Sequence, residues 1–304
     1  MKVALFAAGG EIPVLALRAL LGHCTVVAVI RPGPPPGWRS TVSHAARALG
    51  RRVLRPSVRS EPDELSRTAA SFGIPEWRSR GRDDHSIGDR MRTALIDLAC
   101  VATFPWPLAA EVIAAPLLGT VNVHASLLPR HRGPNPWFWT YHADDREVGV
   151  TVHVCVPRVD IGPILSQSRW ALPRGHSVTR FHAEVAERGA ALLPDVLSRL
   201  AAGGVRAEPQ DERAATRAPR VARGVSMLDA SWPAERTWHF LAGLNGQYQE
   251  PLRCQGRAVD YSDVPSYEAV RAPRTPGLVE EDRVSGGWRL WCVDGFVRLS
   301  GERR

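Results

Sequence analysis

The sequence predicts an α/β protein with a mostly parallel sheet, followed by a second, smaller β-rich domain. Two observations carry this. Over residues 1–203, apolar runs of strand length alternate with segments of helical period, the rhythm of βαβ units. Over residues 226–304, one short helix is followed by short strands with Gly- and Asp-rich turns. Residues 204–225, "GVRAEPQDERAATRAPRVARGV", are charged, apolar-poor and without period, and read as a linker.

The elements follow in order. "KVALFA" (2–7) reads as a buried strand, residues 12–21 as a helix and "CTVVAVI" (24–30) as a second strand. Gly9 and Gly10 do not make G-x-G-x-x-G, so they read as a tight turn and not as a dinucleotide fingerprint. The connection after the second strand is long and proline-rich, then arginine-rich, and reads equally as a solvated loop or a substrate-binding element. Residues 86–97 look helical, and "LIDLACVATF" (95–104) holds a fourth or fifth strand. "AAEVIAAP" is a short helix and "TVNVHA" another strand. Trp137 and Trp139, after Pro-Asn-Pro, begin a helix whose aromatics serve the core. "VGVTVHVCV" (148–156) alternates like a half-buried strand, and residues 178–203 form a long amphipathic helix. "AERTWHFLAGLN" is the short helix of the second domain.

With 304 residues, 44% apolar and 23% charged, the chain has the composition of a globular protein with a sizeable core. The net charge of +8 is almost wholly arginine, since Lys2 is the only lysine. Residues 31–82 hold eleven arginines against four acids, nearly the whole excess, which points either to genomic composition or to an acidic partner. The five cysteines are scattered and lack C-x-x-C spacing, so neither a metal site nor a disulfide framework is signalled, and reduced thiols in a cytoplasm are expected. Gly9-Gly10-Glu11 interrupts the N-terminal apolar run after about seven residues, at the bottom of the range for a signal peptide, so none is expected, and no run reaches the ~18 residues of a membrane helix.

The chemistry is concentrated in "TVNVHASLLPRHRGPNPWFWT", residues 120–140. A strand has a side-chain period of two, so Asn122 and His124 share a face. In parallel sheets, ligands bind beyond the carboxyl ends of strands, where these two residues stand. Asp160, in the D-x-G turn after the strand 148–156, completes an acid/base and polarising unit, with Gly162 expected to turn the aspartate back toward the cleft. His153 on that strand reads as a satisfied structural histidine.

Together with Ser126-Leu127-Leu128-Pro129 and Arg132-Gly133, these residues resemble the 10-formyltetrahydrofolate-dependent formyltransferase family, whose catalytic domain carries N-x-H-x-S-L-L-P-x-x-R-G and a downstream D-x-G. "GVT" at 149–151 and the segment before Thr120 fit the same pattern. The resemblance covers residues 1 to 200 well and the remainder faintly. It implies a Rossmann-like formyltransferase domain over 1–203 and an OB-like domain over 226–304. It implies N-formyl transfer from 10-formyltetrahydrofolate, with Asn122, His124 and Asp160 catalytic. It places the pteridine in an apolar slot near Phe104, Pro105 and Trp106, with the Ser126–Pro129 turn as a wall. Val156, Val159 and Asp160 complete that cofactor-binding set through the loop before the D-x-G turn. No metal is implied.

Among family branches, the glycinamide ribonucleotide enzymes are single domains, and the hydrolases carry a preceding domain for which a strand starting at Lys2 leaves no room. "RGPNPWFW" looks more like amino-sugar and secondary-metabolite formyltransferases, and the C-terminal domain lacks a basic surface for tRNA phosphates. The expected acceptor is therefore a small amine: an amino sugar, an amino acid or a biosynthetic intermediate. Methionyl-tRNA is the runner-up, and neutralising Arg47, Arg51 and Arg52 is the sequence-based test between them. A non-catalytic nucleic-acid-binding or interaction protein on this scaffold is the alternative of another class, opposed by the intact Asn122, His124 and Asp160.

Overall fold

Lys2–Ala7 (β1) is buried from Val3 to Ala7, as a strand covered on both faces must be. The computed structural model in which it is seen describes residues 1–33, 62–204, 206–222, 224–282, 284 and 286–301. The arginine-rich stretch with Arg47, Arg51 and Arg52 lies outside the described residues.

β1 is flanked by Thr25–Pro32 (β2) on one side and Leu98–Ala102 (β4) on the other, both parallel to it. Glu76–Ser79 (β3) lies outside β2, and Thr120–His124 (β5), Glu147–Val154 (β6) and Ile164–Ala171 (β7) continue beyond β4. The sheet therefore has seven strands in the order β3-β2-β1-β4-β5-β6-β7, with β6 antiparallel to β5. The chain order reverses between β1 and β4, which makes the crevice beyond their carboxyl ends the switch point of a doubly wound sheet. Ala4 and Phe6 share a core with Ala28 and Ile30 of β2 and Ala99 and Val101 of β4.

Helix α1 (Glu11–Leu21) carries the chain from β1 to β2 on an apolar stripe of Val14, Leu17 and Leu20. Its entry is the Gly9-Gly10 turn, where both glycines have positive φ, 137° and 93°. Helix α2 (Glu64–Ser71) is capped by Asp63, whose carboxylate accepts from the Ser66 N–H. Helix α3 spans Ser86–Thr93, shorter than the predicted 86–97. Leu95 adopts φ 54°, and the Ile96 and Leu95 N–H groups reach back to the Met91 and Arg92 carbonyls. This stop has the Schellman pattern with leucine at the position that glycine usually takes, so the sequence gives no stop signal. A one-turn helix α4 (Ala110–Ile113) precedes β5. α2, β3 and β7 have no counterpart in the sequence reading; β3 is only four residues, "EWRS".

Helix α5 (Pro136–His142) begins on a proline, whose missing N–H costs nothing at a helix start. Phe138 and Tyr141 are its buried aromatics, while Trp137 and Trp139 are half-buried. The long helix α6 runs Val178–Ala201 and α7 Ala234–Leu244. The C-terminal strands Asp263–Ala269 (β10), Val279–Glu281 (β11), Trp288–Trp291 (β12) and Gly295–Ser300 (β13) form a separate antiparallel sheet in the order β10-β13-β12-β11. Arg253–Cys254 (β8) and Arg257–Ala258 (β9) make a small hairpin.

Contacts divide the chain into two compact units. One comprises Met1–His124, Val150–Ser168 and Val185–Arg213; the other comprises Ala125–Gly149, Arg169–Glu184 and Ala214–Arg304.

Candidate active site

The pairing of β5 with β6 builds the centre of the first unit. Asn122 stands opposite His153 and His124 opposite Thr151. Directly opposed residues point to the same face, so one strand brings Asn122 and His124 and its neighbour brings His153. The Asn122 side-chain nitrogen lies 3.1 Å from His153 Nε2. His153 Nδ1 lies 2.9 Å from the Val154 carbonyl. A carbonyl only accepts, so Nδ1 carries a proton and donates to it. With Nδ1 as the donor to Val154, the Asn122 amide nitrogen donates to Nε2. This fixes the Asn122 amide with its nitrogen toward His153 and leaves the second N–H of that nitrogen for another acceptor.

Asp160 faces both rings. Its Oδ2 is 3.7 Å from His124 Nδ1 and its Oδ1 is 3.5 Å from His153 Nε2. All three side chains are buried: His124 is 6% exposed, His153 1% and Asp160 9%. The Asp160 carboxylate thus stands beside the His124 ring, where it can orient the imidazole and offer it a counter-charge.

The D-x-G turn works differently from its sequence reading. The left-handed residue is Asp160 itself, with φ 58°, and Gly162 shows no positive φ. That conformation costs an L-residue about 1–2 kcal/mol, less for Asp than for most. Gly162 is needed for another reason: a Cβ there would stand 1.8 Å from the Val154 carbonyl oxygen at the end of β6. The turn is packed onto the strand that carries His153.

Phe104, Pro105 and Trp106 follow β4, at the switch point. Thr103, in left-handed conformation at φ 56°, accepts from the Ala8 N–H beyond β1. Phe104 meets Phe6 of the core edge-on at 5.4 Å, and Trp106 meets Phe104 edge-on at 5.2 Å. Phe104 and Trp106 are half-buried and Pro105 is exposed. Among the described residues the buried Trp106 Nε1 has no hydrogen-bond partner. Half-buried aromatic walls with one unused donor fit a flat heteroaromatic ring bearing acceptors. Val156 touches the Gly162 position and is half-buried, while Val159 is 47% exposed.

Cys155, next along, is a thiol that burial, and then the charge of Asp160, push far up, so it is inert.

Ser126, Leu127, Leu128 and Pro129 belong to the second unit. Ser126 Oγ donates to the Arg130 carbonyl at 2.7 Å, and Leu128 is buried. The loop is braced by residues that the sequence reading gave to the linker. The Arg132 N–H donates to the Thr216 carbonyl, the Ala218 N–H to the Arg132 carbonyl, and the Asn135 N–H to the Ala218 carbonyl. Gly133, φ 129°, passes so close that a Cβ would stand 2.7 Å from the Ala218 carbonyl oxygen. Ser126, Leu127, Arg130, His131, Asp145 and Gly149 contribute to the lining of a cavity of about 260 Å3. His131 Nε2 lies 2.6 Å from Asp145 there.

Two functional candidates escaped the sequence reading. His153 is bonded and buried, as expected of a structural histidine, but its partners are the proposed catalytic side chains. The paired strands 120–124 and 147–154 were the signal. Gln210 donates to the carbonyls of Asp160 at 2.9 Å and Gly162 at 2.7 Å, and its own segment offers no periodic signal.

Among the described residues no helix is long and apolar enough to cross a membrane, and no group of three or more His, Cys, Asp or Glu could hold a metal ion.

A family model for formyl transferases matches residues 37–197. The methionyl-tRNA formyltransferase of Paracoccus denitrificans is 31% identical over 97% of this chain and 90% of its own. The N-formyltransferase from Helicobacter canadensis, in a complex with folinic acid and dTDP-3-aminofucose, has a similar fold: TM-score 0.64 at 13% identity, over 99% of both chains. The glycinamide ribonucleotide transformylase 1 from Symbiobacterium toebii matches at TM-score 0.53 and 18% identity, over 69% of this chain and 94% of its own.

Proposed function

The chain belongs to the formyl transferase family and is a 10-formyltetrahydrofolate-dependent formyltransferase, and from that premise we propose that its acceptor is the primary amine of a small molecule. The co-substrate supplies an activated formyl carbon, and attack by an amine develops negative charge on the formyl oxygen. Asn122 donates its second N–H to that oxygen, pre-aimed by the bond to His153. His124 takes the proton of the attacking amine and returns it to the leaving nitrogen. Asp160 holds the charge of that imidazolium. Phe104 and Trp106 wall the slot for the pteridine, with the Trp106 N–H as its donor; Pro105, Val156 and Val159 complete the co-substrate set within the first unit.

One observation carries the choice of acceptor. Residues 226–304 hold ten arginines against eleven acids. Several of these arginines are turned onto the domain's own carboxylates: Arg289 and Arg298 onto buried Asp282, Arg298 also onto Glu268, and Arg274 onto Glu280. A surface that follows tRNA phosphates needs cations free of such partners. The second reading, methionyl-tRNA, is favoured by the names of the relatives at about 30% identity.

The test offers 10-formyltetrahydrofolate with a panel of amino sugars, nucleotide-linked amino sugars and amino acids, and separately with initiator methionyl-tRNA, and follows tetrahydrofolate release. A small amine should show the higher kcat/KM. Higher kcat/KM on methionyl-tRNA, with sub-micromolar binding at physiological salt, reverses the assignment.

A further inference from the structure

We propose that Gln210 is a positioning residue for formyl transfer, holding Asp160 against His124 by clamping the turn that carries it. The inference rests on the reading of Asp160 as a member of the catalytic set. Both N–H bonds of one amide nitrogen are engaged, on carbonyls two residues apart, those of Asp160 and Gly162. A neutral primary amide is the side-chain group that offers two N–H donors on one nitrogen without bringing charge beside a carboxylate.

The turn has need of a clamp. Asp160 is left-handed, and its side chain must reach two imidazoles at 3.5 and 3.7 Å. β6 fixes one side of the turn: the Val154 N–H donates to the Pro163 carbonyl, and Gly162 lies against the Val154 carbonyl. Gln210 fixes the other side. Its backbone is tied down two residues earlier, where Glu208 and Ile164 exchange both backbone hydrogen bonds at 2.7 and 2.8 Å. The amide therefore approaches from a segment anchored to the start of β7. A loop anchored on both sides keeps a side chain within the small tolerance that catalysis demands, whereas one held on a single side swings.

The consequence is a residue that never meets substrate and yet sets turnover. Gln210→Ala removes both donors and lets the turn relax toward ordinary backbone angles. We expect kcat to fall about 10-fold or more, with KM for the folate co-substrate unchanged within about 2-fold and the protein folded by circular dichroism. The acid limb of the kcat profile should move to lower pH, as in Asp160→Asn, because an imidazolium that loses its carboxylate gives up its proton more readily. Gln210→Glu, which keeps the length and loses the donors, should do no better than Gln210→Ala. In an Asp160→Asn background, Gln210→Ala should change kcat little further, since its effect runs through the missing carboxylate.

The outcomes separate the two claims. If Asp160→Asn turns over like the wild type, the catalytic reading of Asp160 falls and this proposal with it. If Asp160→Asn is impaired, the catalytic reading stands. The proposal alone then fails on either of two results. One is Gln210→Ala with wild-type kcat and pH profile; the other is the same fold-loss from Gln210→Ala with and without Asp160.

Discussion

Asp160 in the first compact unit and Asp282 in the second are both buried aspartates in the connection that follows a strand, at 9% and 0% exposure. Their neighbours differ. Asp282 is held by Arg289 at 2.9 Å and by Arg298, and its Oδ1 also accepts from the Val284 N–H at 3.1 Å. Asp160 faces two imidazoles at distances beyond a tight ion pair. A guanidinium keeps its proton at any working pH, so the first arrangement is permanently charged and can only hold structure. An imidazole gains and loses its proton near neutrality, so the second can move one. What separates the structural carboxylate from the one proposed to be functional is whether a partner is able to titrate.

Breaking the structural cluster should give the largest effect. Asp282→Asn leaves the half-buried Arg289 and Arg298 against an uncharged group. Loss of one partner from a fully buried ion pair costs about 3–5 kcal/mol, an upper bound here because both guanidinium groups reach solvent, so the unfolding midpoint should drop while kcat per folded molecule is unchanged. Urea titration together with active-site-normalised turnover checks both halves. A fall in kcat without a loss of stability would erase the distinction drawn here.

The opposite pattern is expected at the titrating cluster. Asn122→Ala, His124→Ala and Asp160→Asn should each lower turnover by at least about 100-fold, the scale of an oxyanion donor or a general acid/base, with little loss of stability. Near-normal turnover in a folded His124→Ala protein would remove the assignment.

His153 sharpens the comparison, because it lies beside Asp160 but is assigned an orienting task. His153→Phe removes the acceptor that aims the Asn122 amide, and turnover should fall about 10-fold. His153→Gln keeps an acceptor near the Nε2 position and should fall less. Equal losses in both variants would mean that the imidazole itself takes part.

Much of the fold was legible because its core strands are continuous apolar runs. "KVALFA" and "TVNVH" were bounded within one residue, since burial on both faces leaves little ambiguity. The elements that were missed are those whose pattern is set by neighbours instead of by their own period, such as the polar edge strand "EWRS". The helix end at Leu95 was missed because a leucine occupies the left-handed stop. In the candidate site, Asn122, His124 and Asp160 were legible through spacing and resemblance. Gln210 was not: its role depends on two backbone carbonyls fifty and forty-eight residues away, and carbonyls leave no mark in a sequence. His153 could have been found, because pairing strand 120–124 with strand 147–154 puts Asn122 opposite it.

His239 offers the mildest test, as a buried titrating group with no catalytic neighbour assigned to it. It is fully buried in α7, and its Nδ1 accepts from the Gly175 N–H at 3.0 Å, so the ring is neutral with its proton on Nε2. Burial, with the Arg174 charge second, holds its pKa down at about 4. In the unfolded chain a histidine titrates near about 6.5. As pH falls below that value the unfolded state binds a proton that the folded state refuses, so stability is fully present above about 6.5 and is lost as pH falls toward about 4. Between pH 7 and 5.5 this should remove about 1 kcal/mol. His239→Asn keeps an acceptor for the Gly175 N–H and does not titrate. Its stability should therefore change less over the same interval, by about that amount, whatever its absolute stability. If the two proteins lose stability in parallel between pH 7 and 5.5, the acid sensitivity of the second unit lies with another group, and burial alone does not hold this ring neutral.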